Sequence, residues 1–197
     1  MDIAKFAFGE THPSLVTYYN NIGFSFKFQK EYEKALGYLF KSLEIGREVY
    51  GENHPDVAVL YNNIGVLYND MGKNKKALDY YLKSLDVGKS AYGENHPVVA
   101  IHYNNIGLFY HNQGEYQQAL EYYFKSIEIN KSFYGDSHPE IANTFWNIGR
   151  SFQEQGEDRK VFEYYSKSRD IYRSVYGDDH SKTIDAQNKV LEVQSLD

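Results

Sequence analysis

The histidines are the side chains in this sequence that would most readily support a metal site or a general base. Five of the seven recur at an interval of 42 residues: His12, His54, His96, His138 and His180. Four of these precede a proline, which favours a role at the start of a helix. Neighbouring copies would be separated by two helix layers of roughly 8–10 Å each, so they cannot share one ion.

The remaining chemistry-bearing residues do not form an enzyme motif. His102 and His111 lie nine positions apart, whereas two ligands on one helix face need a spacing of three or four. The sequence has no cysteine, no glycine-rich phosphate loop and no G-x-S-x-G motif. Acidic pairs such as Asp178 and Asp179 fall in turns. We therefore predict no enzyme activity, no metal and no cofactor.

Paired asparagines are the second candidate for chemistry. The string YNNIG occurs at 19–23, 61–65 and 103–107, and a fourth copy at 145–149 reads FWNIG. Asparagine is a mediocre helix former, so its recurrence needs a reason. A carboxamide both donates and accepts hydrogen bonds, and could bind the backbone of an extended peptide. Alternatively, each amide could bond to the neighbouring helix and order the stack.

The same 42-residue interval organises the whole chain, and each repeat reads as two helices. The first helix is predicted to begin at Pro13, Pro55, Pro97 or Pro139. Glycines 72, 114 and 156 are predicted to end it, with Lys30 as a less certain stop in repeat one. The second helix ends near a recurring YG. In both helices apolar residues lie three and four apart, which is typical of α-helices. The fold class is therefore all-α.

The spacing within each repeat resembles a known family, the tetratricopeptide repeats. Their signature is W-x2-L-G-x2-Y, then A-x3-F, then P, over 34 residues. In repeat two the matching positions are Tyr61, Ile64, Gly65, Tyr68, Ala77 and Tyr81. Pro97 follows Tyr81 by sixteen positions instead of eight, so the second helix is predicted to be longer at its end. The 42-residue unit resembles the repeats of kinesin light chains.

This resemblance implies a right-handed α-solenoid, a superhelix of antiparallel helix pairs that forms a single domain. Its predicted segments are the end of a preceding repeat (1–11), repeat 1 (12–53), repeat 2 (54–95), repeat 3 (96–137), repeat 4 (138–179) and a capping helix (180–197). Gly65 and Ala77 are small because the two helices of a repeat are expected to cross closely there.

The resemblance also implies a concave surface lined by the first helices, where a peptide would bind. The predicted peptide-binding residues are Asn20, Asn21, Phe24, Lys27, Asn62, Asn63, Val66, Asn69, Asn104, Asn105, Leu108, His111, Trp146, Asn147 and Arg150. Charges on this surface are few and of both signs, unlike the basic grooves that hold acidic peptides. Trp146 is interpreted as an anchor for a partner side chain, or alternatively as a contact with the capping helix near Asn188.

Composition limits the partners. The net charge is −6 and the sequence has no long basic run, which argues against nucleic acid or an anionic membrane. No apolar stretch approaches the roughly 20 residues that span a bilayer. A cytoplasmic location is the default expectation. We predict a protein or peptide partner, with two alternatives: a structural scaffold that self-associates end to end, or a sensor segment attached to an effector domain.

Overall fold

The computed structural model describes residues 12–194, and α-helices account for most of them, with no strand in that range. The helices are α1 (Ser14–Phe28), α2 (Tyr32–Tyr50), α3 (Pro55–Asp70), α4 (Asn74–Tyr92), α5 (Pro97–Asn112), α6 (Tyr116–Tyr134), α7 (Pro139–Gln153), α8 (Asp158–Tyr176) and α9 (Ser181–Gln194). The predicted all-α fold is confirmed for this part of the chain. The predicted segment 1–11 and the last three residues of the predicted capping helix, 195–197, lie outside the described residues.

First and second helices alternate and differ in length. The first helices, α1, α3, α5 and α7, have 15 or 16 residues, whereas α2, α4, α6 and α8 have 19 each. Short loops join the two helices of each pair, which therefore lie antiparallel and pack together. The extra length of the second helices agrees with the position predicted for the insertion.

Contacts divide the chain into two compact units, residues 1–94 (unit 1) and 95–197 (unit 2). The described part of unit 1 contains α1–α4, and that of unit 2 contains α5–α9. In unit 1, α2 also packs on α3; in unit 2, α6 packs on α7 and α8 packs on α9.

The repeated histidines mark the helix starts, as predicted. In each case Nδ1 accepts a hydrogen bond from the backbone N–H two residues further on, which satisfies a donor that lacks an intrahelical partner. The distances are 3.1 Å for His12, 3.2 Å for His54 and His96, and 3.3 Å for His138 and His180. Helices α3, α5 and α7 begin at their prolines, while α1 begins at Ser14, one residue after Pro13.

Left-handed residues end the first helices. Gly72, Gly114 and Gly156 have φ values of 69°, 78° and 69°, and Lys30 adopts φ 61° at the equivalent position. The chain thus makes the same turn in repeat one without glycine. A lysine there is strained, because a Cβ atom disfavours this conformation.

The two helices of each repeat cross where the sequence places glycine. A Cβ added to Gly65 would lie 3.0 Å from the Tyr81 ring and 3.3 Å from the backbone oxygen of Ala77. At Gly107 the added atom would lie 2.6 Å from Tyr123. The prediction that these small residues allow a close crossing is confirmed.

The recurring KS pair also ties the repeat together, which the sequence did not reveal. Ser42, Ser84 and Ser168 are fully or almost fully buried, and each donates a bond of 2.7–2.8 Å to a backbone oxygen of the first helix of its own repeat. The neighbouring lysines lie over aromatic rings; the Lys83 ammonium, for example, is 4.9 Å from the Tyr80 ring centroid.

Candidate functional site

The paired asparagines of unit 1 connect two first helices. Asn63 of α3 donates a 2.9 Å hydrogen bond from Nδ2 to Oδ1 of Asn20 in α1. Both side chains are half-buried. Asn21 lies beside this pair but is exposed, and no described residue bonds to its amide. The second asparagine of repeat two is therefore bonded to the first asparagine of repeat one.

A charged pair lies one to two turns further along the same two helices. Lys27 Nζ lies 3.1 Å from Asp70 Oδ2, and 5.7 Å from the ring centroid of the half-buried Phe24. Val66 and Asn69 of α3 are also half-buried. Because Lys27 already has a carboxylate partner, unit 1 does not offer this cation freely to an acidic ligand.

Unit 2 repeats the asparagine arrangement. Asn147 of α7 donates from Nδ2 to Oδ1 of Asn104 in α5 at 3.2 Å. Asn104, Asn105, Leu108 and Asn147 are half-buried. The register of this bond is the same as in unit 1: the second asparagine of one repeat bonds to the first asparagine of the repeat before it.

His111 is not exposed on this surface. Only 7% of it is exposed, and its Nδ1 lies 2.9 Å from Oγ of the fully buried Ser151. The Ser151 hydroxyl also bonds to the backbone oxygen of Asn147 at 3.1 Å. A buried serine committed in this way is not an accessible nucleophile, and the pair joins α5 to α7.

Burial lowers the pKa of both histidines of α5. For His111 the cationic Arg150 lowers the pKa further, and Glu154 partly opposes this. For His102, which is 5% exposed, burial lowers the pKa to about 4. Both imidazoles are thus neutral at pH 7. Arg150 itself is exposed on α7. Among residues 12–194, no three histidine or carboxylate side chains are grouped so that they could hold a metal ion.

Trp146 packs towards the end of unit 2. Its ring centroid is 4.9 Å from that of Tyr165, and it contacts the cluster formed by Ala142, Tyr172 and Ala186. Ala186 belongs to α9, so this cluster includes a residue of the last helix. Both interpretations of Trp146, as an anchor for a partner and as a contact near Asn188, stay predictions. Trp146 nevertheless stays half-exposed and lines a cavity of about 280 Å³ with Tyr172.

Tyr172 is the residue of this region that the sequence reading missed. Its hydroxyl donates to Oδ1 of Asn143 at 2.5 Å, and burial raises its pKa to about 12. One signal could have identified it: Tyr172 stands where earlier repeats have Gly46, Gly88 and Asn130.

Comparison with known proteins gives a family and several similar folds. The sequence model described as "Tetratricopeptide repeat" matches residues 14–90, 56–131 and 98–174. Among solved structures, BtubC (BKLC) from P. vanneervenii is 23% identical with a TM-score of 0.72; the match covers 84% of this chain and 66% of that protein, just under two thirds of its length. No curated protein matches the sequence significantly.

Two other solved structures have a similar fold. A putative kinesin light chain from Podosopora anserina, with nearly identical TPR-like repeats, is 15% identical with a TM-score of 0.75, over 93% of this chain and 87% of that one. The apo form of RapI is 18% identical with a TM-score of 0.71, over 98% and 74%. At sequence identities this low, the similarity shows a common fold and nothing more specific. No helix within residues 12–194 is long and apolar enough to cross a membrane.

Proposed function

The chain belongs to the tetratricopeptide repeat family, whose members are protein-interaction modules, and we propose that it binds an extended peptide of a partner protein on its first helices. In unit 1 the proposed surface comprises Asn20, Asn21, Phe24, Lys27, Asn62, Asn63, Val66 and Asn69. In unit 2 it comprises Asn104, Asn105, Leu108, Trp146, Asn147 and Arg150. The buried His111 lies beneath this surface and contacts Ser151 of α7.

The proposal rests on the hydrogen-bonding groups that remain available on the asparagine amides. Asn20 and Asn63 together have four amide N–H donors, and their mutual bond uses one of them. Because both side chains are only half-buried, the remaining donors and oxygen lone pairs can bond to water or to a peptide backbone. The Asn104–Asn147 pair offers the same groups in unit 2. Each pair is already oriented, which lowers the entropic cost of binding.

The neighbouring side chains favour a peptide with apolar rather than acidic character. Val59 in unit 1 and Ile101 in unit 2 are about half exposed, at 52% and 47%. Lys27 is held by Asp70 at 3.1 Å, so it gives little net attraction to a carboxylate. Exposed apolar side chains next to amides suit an extended segment held by its backbone and by a few apolar side chains.

The same hydrogen bonds favour a second role, in which the asparagines only order the stack of helices. The two roles differ at Asn21. This amide bonds to no described residue and is exposed, so its removal leaves the stack intact. Its loss affects peptide binding alone.

Selection from a random peptide display library with the whole chain as bait tests the proposal. We expect selected peptides that occupy unit 1 and whose affinity falls roughly three- to tenfold in Asn21→Ala, which is the range for one lost hydrogen bond. Gln117→Ala removes an exposed amide from the second helix α6 and should leave affinity unchanged. If every selected peptide binds Asn21→Ala as tightly as the parent, the proposal is contradicted.

A further inference from the structure

The cavity beside Trp146 lies at the end of unit 2, where α7, α8 and α9 meet. It has a volume of about 280 Å³ and is lined by Asn143, Trp146, Tyr172, Lys182 and Asp185. A volume of this size accommodates one long side chain. The walls combine two aromatic rings with an amide, an ammonium group and a carboxylate.

The two aromatic walls depart from the repeat pattern. Trp146 occupies the register of Asn20, Asn62 and Asn104, and Tyr172 that of Gly46, Gly88 and Asn130. Elsewhere the repeat preserves the residues that pack the helices together, because the same packing problem recurs. Two large rings introduced at one corner therefore make a local feature that the stacking of repeats does not require.

A small residue on α9 allows the large Tyr172 ring to reach the cavity. In unit 1 the equivalent position is Gly46, and a Cβ there would lie 2.9 Å from Cδ1 of Leu60. In unit 2 the large residue is Tyr172, and the residue in the register of Leu60 is Ala186, which contacts it. Ala186 is much smaller than a leucine, which leaves room for the Tyr172 ring. The phenol can thus extend between the helices to Asn143, to which it donates at 2.5 Å.

The polar groups of the cavity differ in how many hydrogen-bond and ion-pair partners they have within the chain. Lys182 Nζ donates to Asn143 Oδ1 at 3.1 Å and lies 5.4 Å from the Tyr172 ring centroid. No described residue forms a hydrogen bond or an ion pair with the Asp185 carboxylate. The Glu140 carboxylate lies close enough to help raise the pKa of Tyr172. The cavity lining thus combines one carboxylate, Asp185, with one ammonium that already has partners.

We propose that this cavity binds a basic side chain, lysine or arginine, of the partner peptide, with Asp185 as the ion-pair partner and Trp146 as the aromatic wall. The inference rests on the proposed function. The Trp146 indole offers the ring that attracts cations best, and the Lys182 ammonium already lies over the adjacent Tyr172 ring. The net charge of the chain, −6, also favours a basic ligand.

An acidic side chain is the competing occupant, with Lys182 as its partner. The geometry disfavours it, because Lys182 would have to give up the Asn143 oxygen and the Tyr172 ring. The same acidic guest would also approach the Asp185 carboxylate. Like charges repel each other, which disfavours the acidic guest.

The single tryptophan makes the test direct, because the one indole of the sequence lines this cavity. The probes are N-acetyl-argininamide, its uncharged isostere N-acetyl-citrullinamide, and N-acetyl-glutamic acid α-amide. We expect a saturable fluorescence change in the millimolar range with the arginine probe, and about tenfold weaker binding of the citrulline probe. Equal binding of these two, preference for the acidic probe, or no saturable change with any probe would overturn the inference.

Variants of the charged residues show which side chain binds the arginine probe. Asp185→Asn should weaken binding of the arginine probe about two- to fivefold, the range for an exposed ion pair, and Lys182→Met should strengthen it because a competing cation is removed. Glu128→Gln, which removes an exposed carboxylate from α6, should leave binding unchanged. Circular dichroism checks that each variant folds. An Asp185→Asn protein that folds and binds the probe as well as the parent would refute the ion pair.

The peptide-binding proposal and the cavity proposal can be contradicted independently of each other. If display selects peptides that lack basic residues and bind Asp185→Asn normally, the cavity inference is wrong while peptide binding stands. If the arginine probe binds but no peptide is selected, the cavity recognises a cation and the proposed function is wrong.

Discussion

Asn63 donates a 2.9 Å hydrogen bond to the side-chain oxygen of Asn20, from one first helix to the next. The positions are 43 residues apart, one repeat plus one residue, and Asn147 bonds to Asn104 with the same offset. The offset explains why the sequence carries two adjacent asparagines. The first accepts a bond from the following repeat, and the second donates a bond to the preceding one.

The Asn20–Asn63 bond should be measurable as a coupling between the two residues. Asn20→Ala, Asn63→Ala and the double variant form a cycle in which the two single losses together exceed the loss of the double variant by about 0.5–1 kcal/mol. The reason is that either substitution alone removes the same hydrogen bond. The measurement is the free energy of unfolding in urea. Asn21→Ala provides the control, since its side chain bonds to no described residue, and it should show no coupling with Asn63→Ala.

Repetition explains which features could be predicted from the sequence. The glycine at 65 and its copies, the prolines and the histidine–proline pairs recur because each repeat solves the same local problem of helix start, stop and crossing. The Ser151–His111 contact joins repeats 3 and 4, and the Tyr172–Asn143 bond joins the two helices of repeat 4; each occurs once within residues 12–194. Neither contact recurs at the 42-residue interval, and neither follows from the spacing of residues within one helix. Such contacts depend on how neighbouring helices are placed, which the pattern of a single sequence does not specify.

The serine of the KS pair should stabilise the fold only where its hydroxyl has a partner. Ser168 Oγ donates to the backbone oxygen of Ala142 at 2.8 Å. Ser126 occupies the same position in repeat three and is buried, but no described residue bonds to its hydroxyl. Ser168→Ala should therefore cost about 1 kcal/mol, and Ser126→Ala should be neutral or stabilising.

Thermal and urea unfolding of the two serine variants provides the comparison, since both changes remove the same atom from unit 2. Equal destabilisation by Ser126→Ala and Ser168→Ala would show that the difference between the two hydroxyls has no energetic consequence.

The left-handed lysine of repeat one should be replaceable by glycine with a gain in stability. Lys30 has φ 61°, and Gly72 at the equivalent position has φ 69°. Lys30→Gly relieves backbone strain but adds freedom to the unfolded chain, so the expected net gain is about 0.5–1 kcal/mol.

The reverse change, Gly72→Lys, should cost a similar amount, because no atom lies within 4 Å of the added Cβ and only the backbone strain acts. Unfolding curves of both variants test the pair. A Lys30→Gly protein less stable than the parent would show that the lysine side chain contributes more than the strain costs.

Stability should fall on mild acidification because of His102. Burial lowers its pKa to about 4 in the folded chain, whereas the unfolded chain has a value near 6.5. Above about pH 6.5 the imidazole is neutral in both states. Between about pH 6.5 and 4 the unfolded chain takes up the proton first, so stability decreases by about 1.4 kcal/mol per pH unit.

The variant His102→Leu separates this loss from that of other groups, and the chain itself supplies the choice: Leu60 occupies the same register in repeat two. From pH 7 to pH 5 the parent should lose about 2 kcal/mol more than the variant. His111 remains in both proteins, and burial shifts its pKa in the same direction, so its contribution cancels in the comparison. If urea unfolding gives the same loss for both proteins over this range, His102 is not the group that titrates.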